Sequence, residues 1–95
     1  MPNYTVVQRN PFGAQYDNLD GKLQRTVDGI LEKLEDTLCG RPLKGSHGLR
    51  AVHFEHNKYR LLYSVDPSSN TVFVERVGPR ERVYTEASEV LFKKR

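Results

Sequence analysis

The chain is short of cysteine, of long apolar runs and of apolar residues altogether, and each shortage closes off a class of protein. Cys39 is the only cysteine among 95 residues, so no internal disulfide can form and a reducing compartment suits the chain. No stretch reaches the ~18 consecutive apolar residues of a membrane span. The first residues show no basic segment leading into an apolar run, so a secretory signal is not expected. A cytoplasmic protein with no membrane partner is the expectation. Apolar residues make up 37% of the chain and charged residues 28%, so much of every element must face water. Repeats, low-complexity stretches and interdomain linkers are missing too. Residues 1–95 are expected to form one domain with a thin core.

What is present is basic charge, unevenly spread. The net charge is +3. Residues 1–40 hold four Lys or Arg against six Asp or Glu, whereas residues 41–95 hold eleven against six. The cationic half is also the half that reads as sheet, and it carries Tyr59, Tyr63 and Tyr84. Basic strands interleaved with tyrosines suit a polyanion, RNA above all, where phosphate attraction and base stacking act together. The plain alternative is a solvated basic surface.

The chain centres on residues 43–65. A glycine-punctuated basic turn (Lys44, Gly45, Gly48) leads into a short strand from Leu49 to Phe54. Polar residues 55–57 form a turn, and Lys58 to Val65 forms a second strand, a hairpin pattern. Alternation puts Tyr59, Leu61, Tyr63 and Val65 on a core face and Lys58, Arg60, Leu62 and Ser64 on the other. That second set implies a cation on an accessible sheet surface.

Before the hairpin, Tyr4 to Arg9 is β-prone, and Phe12 to Tyr16 reads as a turn or short helix. Leu19, Leu23, Val27, Ile30 or Leu31, Leu34 and Leu38 then recur at helical spacing. Asn18 or Asp20 can cap this helix, and Gly40 followed by Pro42 gives a stop. Gly29 inside it costs about 1 kcal/mol relative to alanine, which close packing against the sheet would explain. After the hairpin come a turn at 66–70, a strand from Thr71 to Val77, a stop at Gly78-Pro79 and a charged connection at 80–82. A last helix is expected from Glu86 to about Lys93. A helix on one face of such a sheet leaves the other face free.

Leu43-Lys44-Gly45, Gly48-Leu49-Arg50, Tyr59-Arg60-Leu61-Leu62-Tyr63, Val77-Gly78-Pro79-Arg80 and Val83-Tyr84, taken in order, resemble the RelE/ParE superfamily of bacterial and archaeal toxins. The resemblance spans about residues 4 to 90. It implies an α+β fold, a small antiparallel sheet with a long N-terminal helix or helical hairpin on one face and a short C-terminal helix. It also implies the toxin of a type II toxin–antitoxin pair. RelE-like members are ribosome-dependent endoribonucleases that cut mRNA in the A site, whereas ParE-like members inhibit DNA gyrase. Both are neutralised by a cognate antitoxin in a hetero-oligomer, and meet operator DNA only through that complex. The RelE-like branch is the expectation, with gyrase inhibition or an inactive antitoxin-binding module as alternatives.

Cleavage of this kind uses the RNA 2′-hydroxyl as nucleophile. It needs a base for that proton, cations for the phosphorane and a proton for the leaving 5′-oxygen. By resemblance, Arg60 contacts the scissile phosphate, Arg80 stabilises it or helps the leaving group, and Tyr84 is a base or a stacking platform. The plain alternatives are an arginine paired with Glu75 or Glu55, a loop arginine paired with Glu81, and a packing tyrosine. His53 is the candidate general acid or base, since imidazole titrates near neutrality. Where RelE-like chains often carry lysines, this one reads Arg50-Ala51-Val52-His53, and the odd separation keeps Arg50 and His53 on different faces unless a bulge intervenes. Lys44, Arg50, Lys58 and Arg82 are assigned to RNA attraction. His47, His53 and His56 have no cysteine partners and no ligand spacing, so no metal or other cofactor is expected.

Overall fold

The computed structural model describes residues 3–42 and 48–82. Its elements run β1 (Thr5–Gln8), α1 (Phe12–Asp17), α2 (Gly21–Leu34), β2 (Arg41–Pro42), β3 (Arg50–Phe54), β4 (Tyr59–Asp66) and β5 (Thr71–Pro79). The strands form one sheet in the order β1-β5-β4-β3-β2. The α+β class holds, with one correction: the sheet is mixed. β5, β4, β3 and β2 pair antiparallel, but β1 lies parallel to β5. The terminal helix expected from Glu86 lies outside the described residues, while residues 80–82 already begin a helical turn rather than a plain connection.

The helical part is a hairpin of one short and one longer helix. Asp20 is the cap, its carboxylate accepting from the Leu23 amide at 2.9 Å. Leu23, Val27 and Leu34 are buried against Leu61, Tyr63, Val72, Val74 and Val77 of the sheet, with Phe12 of α1 closing the same core. The helix ends at Leu34, earlier than its apolar period suggests; Leu38 still packs on the core from the connection that follows. Gly40 and Pro42 do not stop a helix. They flank Arg41 in the entrance to a two-residue edge strand. Gly40 has φ +87°, and a Cβ there would stand 2.2 Å from the Ala51 carbonyl oxygen, so only glycine fits this approach of β2 to β3. Gly29, by contrast, is exposed with open space where a Cβ would go, so it serves no close packing.

One irregularity organises the rest. Leu62 pairs with Arg76 but Tyr63 pairs with Val74, so Glu75 is an extra residue on β5. The bulge resets the alternation, letting Val72, Val74 and Val77 all reach the core although the last two are separated by an odd step. The Val77 amide is satisfied from outside the ladder, donating to the Gln15 side-chain oxygen at 2.9 Å. Among the described residues no helix is long and apolar enough to cross a membrane.

Candidate functional site

Directly paired residues of neighbouring strands share a face, so the register sorts the candidates. Val52, Phe54, Tyr59, Leu61, Tyr63 and Val65 face the helices and join the core. On the other face His53 stands opposite Arg60, and Arg60 opposite Gly78, one row across three strands. The adjoining row is Arg41, Ala51, Leu62 and Arg76. Arg80 follows directly after β5, its amide bonded to the Lys58 carbonyl at 2.9 Å. His53, Arg60, Arg80 and Arg41 are therefore brought together; the first three are candidates from the sequence and Arg41 is not.

The face is not uniformly open, as the alternation alone suggested. Ala51 and Leu62 are buried within it, and so is Arg60, only 4% exposed. Its guanidinium does not stand clear in solvent, nor does it pair with Glu75 or Glu55. Nη1 donates to the Asn57 carbonyl at 2.7 Å and to the Tyr59 carbonyl at 3.2 Å. Glu75 instead takes Ser64 and Arg9, and Glu55 takes Lys22. The reason is the β3–β4 turn, where Glu55, His56 and Asn57 adopt φ of 51°, 53° and 69° in succession. Non-glycine residues enter that region at a cost, and the arginine ties the last of them to β4.

His53 is exposed, and its pKa is lowered from the ordinary 6.5. Partial desolvation over the sheet is the main cause, then the charges of Arg60, Arg41 and Arg80, partly opposed by a hydrogen bond with Asn57. An accessible imidazole held neutral among guanidiniums can accept a proton close to bound phosphate. Beside it His56, Asn57, Lys58, Pro79, Arg80 and Glu81 line an open groove of about 420 Å³.

The remaining candidates divide. Lys58 is exposed and lines the groove, and Arg82 is exposed in the turn that follows β5. Arg50 is on the helix-bearing face, opposite from His53, with no bulge in β3. Its Nε donates to the Tyr63 hydroxyl at 3.0 Å and its Nη2 to the Gly40 carbonyl at 3.2 Å. Lys44 and Tyr84 lie outside the described residues. Sequence reasoning missed Arg41 and Arg76. The only signal for Arg41 was its place between Gly40 and Pro42, and that pattern reads equally as a helix stop; Arg76 reaches the face only because Glu75 bulges. Among the described residues no group of His, Cys, Asp and Glu could hold a metal ion.

The fold and part of the sequence have known counterparts. A family described as the ParE toxin of the type II toxin–antitoxin system parDE matches residues 1–84. A free mutant of the Escherichia coli toxin RelE is similar at 22% identity and a TM-score of 0.76, over 94% of this chain and 97% of that one. The RelBE2 toxin–antitoxin complex of Mycobacterium tuberculosis contains a chain 26% identical, with a TM-score of 0.71, over 84% of this chain and 94% of that one. In the intact E. coli RelBE complex the values are 22% and 0.68, over 80% and 95%. No curated protein matches the chain.

Proposed function

We propose a reaction for this chain from the premise that it belongs to the ParE toxin family of type II toxin–antitoxin systems, within the RelE/ParE superfamily. The reaction is endonucleolytic cleavage of translated mRNA in the ribosomal A site by a cytoplasmic toxin. One observation carries it: an exposed, neutral imidazole at His53 directly opposite Arg60 and close to Arg41 and Arg80. Neutral His53 accepts the proton of the 2′-hydroxyl as that oxygen attacks the adjacent phosphorus. The bond from phosphorus to the 5′-oxygen breaks, the departing oxygen takes a proton from water, and the products are a 2′,3′-cyclic phosphate and a 5′-hydroxyl. Arg80, exposed beside the groove, carries the phosphorane charge that a metal ion would otherwise neutralise. Arg60 adds its charge from within the sheet and holds the turn. Tyr84 is assigned to base stacking.

A cognate antitoxin neutralises the toxin in a hetero-oligomer, by covering the face of His53 and Arg80. A cationic face of this kind attracts an acidic segment that orders on binding. Operator DNA is met through that complex only.

The test is induced expression of the wild type beside His53→Ala and Arg80→Ala, with growth followed and mRNA ends mapped by primer extension. Growth arrest with cuts inside codons, abolished in both folded variants, is expected. Arrest without cuts would end the nuclease reading.

The second reading is inhibition of DNA gyrase. The matching family is named for ParE, and Arg60 is bonded to backbone carbonyls as a purely structural arginine would be. Stalled gyrase–DNA cleavage complexes on adding the protein would support it.

A further inference from the structure

Arg41 belongs to none of the motifs that carry the superfamily resemblance, and its strand is only two residues long. Two ladder pairs hold such a strand weakly, yet this one is pinned from inside the protein. The buried Tyr63 donates its hydroxyl to the Cys39 carbonyl. Arg50 donates to that same phenol oxygen and also to the Gly40 carbonyl. The two carbonyls immediately before Arg41 are therefore tied to β3 and β4, and Gly40 permits the close approach to the Ala51 carbonyl that a Cβ would block.

The pinning has a consequence on the opposite face. Arg41 is opposite Ala51 and so emerges beside His53, its diagonal neighbour, at about 7–8 Å between backbones, which an arginine side chain spans. It is exposed, and among the described residues no carboxylate or carbonyl engages its guanidinium. Ala51 and Leu62, both buried, lie between Arg41 and Arg76 in the same row. Arg41 lies two strand spacings across and two residues along from Arg60, about 12 Å between backbones. An exposed, planar guanidinium so placed matches a phosphate in a bidentate fashion.

We propose that Arg41 is a phosphate-binding subsite for single-stranded RNA, holding the phosphate next to the one at His53 and Arg80, and that Arg50 and Tyr63 are positioning residues acting through β2. This rests on the RNA-directed reading of the face. Arg50 then serves RNA without touching it, because its donors are spent on Tyr63 and Gly40.

The probe is a short 2′-O-methyl oligoribonucleotide, which keeps its phosphates and cannot be cut, with affinity measured against salt. Arg41→Ala should make the plot of log K against log[salt] shallower by about 0.7, the loss of one phosphate contact on a single strand. Arg41→Lys should restore most of that slope. Tyr63→Phe should show the same shallowing although its hydroxyl touches no RNA; should that variant not fold by circular dichroism, Arg50→Gln takes its place. An unchanged slope in Arg41→Ala overturns the subsite, and so does a wild type that does not bind the oligonucleotide. A wild-type slope in folded Tyr63→Phe or Arg50→Gln overturns the positioning role. Binding with an Arg41-dependent slope, but no cutting of mRNA on translating ribosomes, supports the subsite while ending the nuclease reading.

Discussion

Arg60 on β4 donates to the carbonyl of Asn57 at 2.7 Å, closing a turn in which three successive residues are left-handed. A residue expected to meet substrate is thereby also part of what holds the site's shape. Arg60→Ala should lower stability by roughly 2–3 kcal/mol, the scale of hydrogen bonds from a charged donor. Arg80→Ala, at an exposed position, should stay within about 0.5 kcal/mol of the wild type. Chemical denaturation of both variants checks this. Loss of toxicity in Arg60→Ala is consequently evidence about chemistry only where the variant is folded.

His53 provides a pH signature. Its folded pKa lies below the unfolded value of 6.5, so folding disfavours the protonated ring. The contribution to stability is whole above pH 6.5 and is lost as pH falls through the folded value. An NMR titration should find the His53 midpoint below 6.5. Arg41→Ala and Arg80→Ala should each move it upward, since each removes a repelling charge. RNA cleavage should be constant through neutrality and fall in acid with the same midpoint.

Two glycines should answer alanine in opposite directions. Gly29→Ala adds a methyl group in open space on an exposed helix position and should stabilise by about 0.5–1 kcal/mol. Gly40→Ala places a Cβ against the Ala51 carbonyl in a left-handed conformation, and should destabilise by more than about 1 kcal/mol while displacing β2. Melting temperatures of the pair decide the signs, and oligonucleotide binding by Gly40→Ala reports whether β2 has moved.

Asp20→Ala removes the acceptor for the Leu23 amide and should cost about 1 kcal/mol. The loss should show in denaturation midpoints, with oligonucleotide binding unchanged because α2 packs on the face opposite His53.

The sequence by itself determined the parts whose signal is local. The period of Leu23, Val27 and Leu34 marks a helix, Asp20 marks its start, and alternation along residues 59–65 assigns Leu61 and Tyr63 to the core. The odd separation of Arg50 and His53 already put them on different faces. These outcomes depend on 3.6- and 2-residue periods that neighbouring side chains carry with them. Only the tertiary structure decided the parallel placement of β1, because strand direction depends on where the helices lead the chain. It alone made Arg41–Pro42 a strand, since that requires the close approach of Gly40 to Ala51 across the sheet. It alone decided that Glu75 bulges, sending Arg76 to the face of Arg60, and that Arg60 folds back on its own turn. A residue's neighbours in sequence say which face it can occupy; which cations share that face, and how deeply each is held, is decided by registers between strands distant in sequence.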